Sequence, residues 1–121
     1  MHSENKNIGT YGEQLATEYL KKNKHIILTN KFRIKKGEID IISRVEDIIV
    51  FTEVKTRYNR LYGVPLEGVT FSKQNTIKLI ASYFIYKHSL YNCNVRFDVV
   101  EVNLNYYDDG YRINHINDAF R

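Results

Sequence analysis

The stretch "GEIDIISRVEDIIVFTEVKTR", residues 37–57, restricts the fold more than any other part of the chain. Two runs rich in β-branched residues, Ile39, Ile41, Ile42 and then Ile48, Ile49, Val50, Val54, flank the acidic dipeptide Glu46-Asp47. Such side chains suit a pleated strand, and a two-residue polar break between two such runs marks a hairpin. With Glu46 and Asp47 as the turn, Val45 faces Ile48. Carried back along both strands, the same register sets Asp40 opposite Glu53. Directly paired residues point to one side of the sheet, with Cβ atoms roughly 4.5–5.5 Å apart. Alternation then places Glu38, Asp40 and Ile42 on one face, and Ile49, Phe51, Glu53, Lys55 and Arg57 on one face of the next strand. Two carboxylates so placed repel each other unless a cation lies between them.

A divalent metal answers that cost. Mg²⁺ takes oxygen ligands and accepts one or two carboxylates, with water and substrate phosphate completing its shell. Lys55 follows Glu53 by two residues on the same face, where an ammonium can orient an attacking water or neutralise charge developing on a phosphate. This is the equipment of metal-assisted phosphodiester hydrolysis. The competing account is a solvated cross-strand ion pair, with Asp40 at an exposed edge.

The remaining elements fall around the hairpin. The spacing of Tyr11, Leu15, Ala16, Tyr19 and Leu20 predicts a helix over about Thr10–Lys22, with Glu13 and Glu18 on opposite edges of its apolar stripe and Gln14, Thr17 and Lys21 facing away. A strand over Ile26–Ile34 follows, then the turn Lys35-Lys36-Gly37. The hairpin strands run over about Glu38–Arg44 and Ile48–Arg57. A loop with Gly63, Pro65 and Gly68 leads to a second helix, for which Ser72 offers a cap and Ile77, Ile80, Ala81, Phe84 and Ile85 a buried face. Asn94–Leu104 reads as a strand, Asp108-Asp109-Gly110 as a turn, and the last residues as a short strand. The order αβββαβ, with short links among the first three strands, implies an antiparallel meander. The second helix serves as crossover to a parallel fourth strand, giving a mixed α/β sheet with flanking helices.

At 121 residues the chain is expected to form one domain, 1–121. Net charge is +4, but residues 21–60 hold eleven basic and five acidic side chains, so the positive charge surrounds the hairpin. That distribution favours a polyanionic partner. The single cysteine, Cys93, allows no intramolecular disulfide and fits a reducing cytoplasm. The start "MHSENKNIGTYGEQ" has no apolar signal core, and no apolar run is long enough to span a bilayer. The expectation is a cytoplasmic protein without a membrane segment.

The pattern Asp40 followed by Glu53-Val54-Lys55 resembles the PD-(D/E)xK nuclease superfamily, whose fold is restriction-endonuclease-like. More closely, the chain resembles the YraN-like family of small endonucleases inferred from sequence. The segments that carry this are "GTYGEQLATEYL" (9–20), "GEIDII" (37–42), "VFTEVKTR" (50–57), "GVPLEGVTFSKQ" (63–74) and "VRFDVVEV" (95–102). The resemblance implies a nuclease that uses Mg²⁺ or Mn²⁺, with Asp40 and Glu53 as metal ligands and Lys55 assisting the attacking water. It also selects Glu13 over Glu18, as the counterpart of the first-helix glutamate of Holliday-junction resolvases. Ile39 stands where the superfamily pattern has proline, a backbone feature and not a ligand.

Other residues carry paired readings. Arg57 extends the face of Glu53 and Lys55 and either holds a phosphate or is a surface arginine. Lys73 and Gln74 fall in the first turn of the second helix and either touch a substrate backbone or serve capping. Lys31, Arg33, Lys35 and Lys36 form a basic cluster that tracks a phosphate backbone or solubilises a hairpin edge. Glu38 either joins the site or is solvated, and Asp98 reads as structural. The ten tyrosines offer base-stacking surface, but Tyr11, Tyr19, Tyr83 and Tyr86 lie in helical segments and suit packing. His2, His25, His88 and His115 show no metal-ligand spacing. The expected partner is nucleic acid, DNA first, and symmetric cutting of two strands would suit a homodimer. The alternative is a non-catalytic or weakly catalytic module of the same fold that binds branched DNA or RNA.

Overall fold

The computed structural model describes residues 7–59 and 68–121. Gly63, Pro65 and His2 lie outside the described residues. The elements are α1 (Ile8–Lys22), β1 (Ile26–Ile34), β2 (Gly37–Val45), β3 (Ile48–Asn59), α2 (Phe71–Lys87), β4 (Asn94–Asn105) and β5 (Tyr111–Phe120). α1 begins earlier than its apolar stripe because Asn7 caps it, Oδ1 accepting from the Thr10 N–H at 3.1 Å. The cap of α2 is Thr70 and not Ser72: Thr70 Oγ1 accepts from the Lys73 N–H at 3.1 Å.

The strands form one five-stranded sheet in the order β1-β2-β3-β4-β5. β1, β2 and β3 pair antiparallel, β3 and β4 parallel across the α2 crossover, and β4 and β5 antiparallel. The hairpin has the expected register, from Val45↔Ile48 back to Ile41↔Thr52. β5 is a full edge strand, longer than its polar sequence suggested.

Each helix covers one face. Ile77, Ile80, Ala81 and Phe84 of α2 pack with Ile39, Ile42, Ile49 and Phe51. Ala16 and Leu20 of α1 pack with Ile41, Val100, Val102 and Leu104. Neighbouring Ile41 and Ile42 go to opposite clusters, as a strand requires. Ile39 joins Ile42, however, so strict alternation slips at Asp40, and the single face expected for Glu38, Asp40 and Ile42 is interrupted there.

A buried polar network ties β5 to α1 and the sheet. The Asp98 carboxylate is fully buried and accepts from Arg96 Nε (2.8 Å) and Nη2 (2.9 Å), His115 Nε2 (2.7 Å) and the Asp118 N–H (3.0 Å). Burial alone would raise its pKa, but the bonds from His115, Arg96 and Asp118 together hold it below the usual carboxylate range. Tyr19 O–H meets His115 Nδ1 at 3.2 Å, and His25 Nδ1 meets the buried Ser43 Oγ at 2.8 Å. Asp98 is therefore structural, as its strand position beside Arg96 suggested. Among the described residues no helix is long and apolar enough to cross a membrane.

α1 approaches β3 most closely at Gly12. A Cβ there would lie 1.9 Å from Thr56 Oγ1 and 2.7 Å from Thr56 Cβ. An exposed helical Gly→Ala change gains up to about 1 kcal/mol, but Thr56 is short and β-branched and cannot swing away. Gly12→Ala is therefore expected to lose about 1–3 kcal/mol, read as a lower urea midpoint at unchanged slope.

Candidate active site

The hairpin ladder stops being regular where the two carboxyls stand. The last regular β2–β3 pair is Ile41↔Thr52, and beyond it the Asp40 and Glu53 carboxyls come into hydrogen-bond contact. Asp40 Oδ2 accepts from the Val54 N–H at 2.8 Å, so the side chain takes over a bond the strand backbone would otherwise make. Both residues are 8% exposed. Burial first, then the hydrogen bond and charge of the neighbouring Glu53 carboxyl, push Asp40 up to about 8, against the lowering effect of the Val54 N–H.

Glu53 is the less satisfied partner. Its Oε2 is buried without a hydrogen bond. Lys73 Nζ from α2 stands 3.5 Å away, an ion-pair distance that makes no hydrogen bond. Asp98 provides the internal comparison. The same chain surrounds that buried carboxylate with a guanidinium, an imidazole and a backbone N–H. At Glu53 it leaves a buried acceptor oxygen open, beside an Asp40 that keeps its proton up to about pH 8. Two carboxylates with open oxygens fit a hard divalent cation that keeps positions for water and phosphate. Among the described residues no three His, Cys, Asp or Glu side chains converge as a metal cage.

The other sequence candidates divide. Lys55 is half-buried and, among the described residues, makes no hydrogen bond or ion pair. Strand alternation keeps it on the face of Glu53. Glu13 is close enough for Asp40 to raise its pKa, second to burial, but Lys31 Nζ holds it at 3.3 Å and opposes the shift. Arg33 pairs with Glu38 at 2.5 Å. The basic cluster thus splits: Lys31 and Arg33 are engaged with acids, while Lys35 and Lys36 lie exposed in the β1–β2 turn. Arg57 Nε donates to Asn103 Oδ1 at 3.4 Å. Gln74 Nε2 donates to the Val69 carbonyl at 2.9 Å, which ties its side chain to the residue before the α2 cap. Sequence reasoning missed the approach of Lys73 to Glu53, because no spacing rule links the first turn of a helix to a strand twenty residues earlier.

The fold and site together define a mixed α/β protein with a buried carboxyl pair at the mouth of a hairpin. The chain belongs to the family described as Uncharacterised protein family UPF0102, which matches residues 12–102. This is the YraN family that the order of motifs resembles. A UPF0102 protein of Clostridium botulinum (strain Alaska E43 / Type E3) is 58% identical over 118 residues, 97% of this chain and 96% of its own length. One from Clostridium beijerinckii is 50% identical over 117 residues, 97% and 95% of the two chains. One from Clostridium novyi (strain NT) is 47% identical over 120 residues, 99% and 100%.

The raised Asp40 pKa makes a signed statement about stability. Between pH 4 and 8 the unfolded chain has lost this proton and the folded chain retains it, so rising pH favours unfolding. The contribution is fully present below the unfolded pKa and is lost as pH passes through about 8. Asp40→Asn keeps the acceptor for Val54, and its amide can donate to Glu53. In chelator, it is expected to be more stable than wild type at pH 8 by on the order of 1 kcal/mol, seen as a higher melting temperature, with the difference vanishing toward pH 4. Paired thermal melts across that range measure it.

Proposed function

We propose that this chain is a divalent-metal-dependent nuclease of restriction-endonuclease-like fold, hydrolysing nucleic-acid phosphodiesters. The observation that carries the reading is the buried Asp40–Glu53 pair, left short of hydrogen bonds beside an uncommitted Lys55. The order αβββαββ, an antiparallel meander followed by a parallel strand and an antiparallel edge strand, contains the αβββαβ core that the PD-(D/E)xK resemblance implies. Asp40 and Glu53 hold Mg²⁺ or Mn²⁺, an ion that supplies Lewis-acid charge at the scissile phosphate and acidifies the attacking water. Lys55 orients that water and neutralises charge building on the phosphate oxygens. Glu13 assists from α1. Arg57, Lys35 and Lys36 contact the phosphate backbone, and the basic excess of residues 21–60 supplies sequence-independent attraction.

The second reading, a binding module of the same fold, draws on one observation: Glu13 is held in an ion pair by Lys31. Calorimetry separates the two. Wild type is expected to bind Mn²⁺, more tightly as pH rises from 6 to 8 and Asp40 gives up its proton. Asp40→Asn and Glu53→Gln are expected to lose that binding while remaining folded. In cleavage of a duplex or branched DNA with Mg²⁺, Lys55→Met is expected to lower kcat by about 10²–10³. No Mn²⁺ binding, even with duplex and junction DNA present, would leave the binding module standing.

A further inference from the structure

Among the described residues, the cation paired with Glu53 comes from outside the hairpin and from a different layer of the fold. Lys73 Nζ reaches from the first turn of α2 to Glu53 Oε2, the buried atom that has no hydrogen bond. The lysine side chain is 41% exposed and the glutamate 9%, so the ammonium reaches in from the surface on a flexible stem. Glu53 is its only ion-pair partner among the described residues. An ion pair with one partner in solvent and no hydrogen bond is weak. Removing Glu53 from water without any countercharge costs more. The contact therefore matters to the carboxylate but is easily exchanged for a stronger cation.

What Lys73 meets when released is set by its surroundings. Helix N-termini present free N–H groups and a positive macrodipole end, which favour anions. The first turn of α2 has no acidic residue, and the helix sequence "FSKQNTIKLIASYFIYK" has none anywhere, so the ammonium has no second carboxylate on its own element. The anion that a nuclease brings to this point is a backbone phosphate.

We infer that Lys73 is an exchangeable counter-ion: it neutralises Glu53 in the free protein, yields it to the divalent cation, and passes to a phosphate of the bound nucleic acid. The inference rests on the nuclease reading above. It makes cation and nucleic acid bind with positive coupling. Each removes Lys73 from the state the other must displace, and linkage requires the coupling to be equal in both directions.

The test is Mn²⁺ calorimetry without nucleic acid on wild type, Lys73→Met and Lys73→Arg, followed by anisotropy of a short labelled DNA duplex with and without Ca²⁺. Lys73→Met is expected to bind Mn²⁺ about fivefold more tightly and to lose most of the Ca²⁺-dependent gain in duplex affinity. Lys73→Arg is expected to keep that gain. A lysine that merely braces Glu53 would leave the gain intact when replaced by methionine, and that result overturns the inference. So does Mn²⁺ binding by Lys73→Met no tighter than by wild type. If neither protein binds Mn²⁺, with or without the duplex, the nuclease reading has failed first and takes the exchange with it. Melts of the three proteins in chelator confirm that each is folded.

Discussion

Two carboxyl groups pressed together in a nearly dry site are a standing electrostatic cost, and much of the architecture exists to hold them there. The β2–β3 ladder sets their register, then releases at Ile41↔Thr52 so that Asp40 can take the Val54 N–H with its side chain. The free protein meets the cost with a retained proton on Asp40 and a distant ammonium from α2. Neither device is strong. Burying an acid cheaply is evidently within the chain's means, because Asp98 is fully satisfied on the neighbouring strand. The difference between these two treatments of a buried acid is the main physical argument for a site.

The helices make the arrangement three-dimensional. α2 lies on the sheet face that carries Phe51, which puts its first turn within reach of Glu53. α1 lies on the other face, brought close by the absence of a side chain at Gly12, and presents Glu13 toward Asp40. One carboxyl pair at the edge of two layers is thus addressed from both sides, by a base-bearing helix start and an acid-bearing helix flank.

The hairpin and its register were legible because a two-residue turn and a period of two leave little freedom once Glu46-Asp47 is placed. The meander and the parallel crossover followed from link lengths alone. The α2 cap was not legible: Thr70 and Ser72 both offer hydroxyls, and only the chain path chooses between them. The slip of alternation at Asp40 was hidden for a related reason, since Ile39 and Ile42 are both good core residues and composition does not say which face each takes. The links His25–Ser43, Tyr19–His115 and Lys73–Glu53 were invisible because they join residues brought together only by the assembled sheet and the helices packed on it. Of the proposed site, the acidic pair and Lys55 could be read from spacing, Glu13 needed the family resemblance, and the neutralising role of Lys73 needed the fold.

The position of β3 has a consequence for motion. It is the middle strand of five, paired on one side with β2 and on the other through twelve consecutive parallel partners, Ile48↔Asn94 to Asn59↔Asn105. Local opening in a folded protein begins at edges and termini, and the centre of a sheet opens last, often only with global unfolding. The amides of β3 up to Thr52, paired on both sides, are therefore expected in the slowest-exchanging part of this molecule, while β1 and β5 can fray independently. Whatever adaptation a bound partner demands must come from the edges and the helix ends, because the strand that bears the carboxylate and the lysine has nowhere to go.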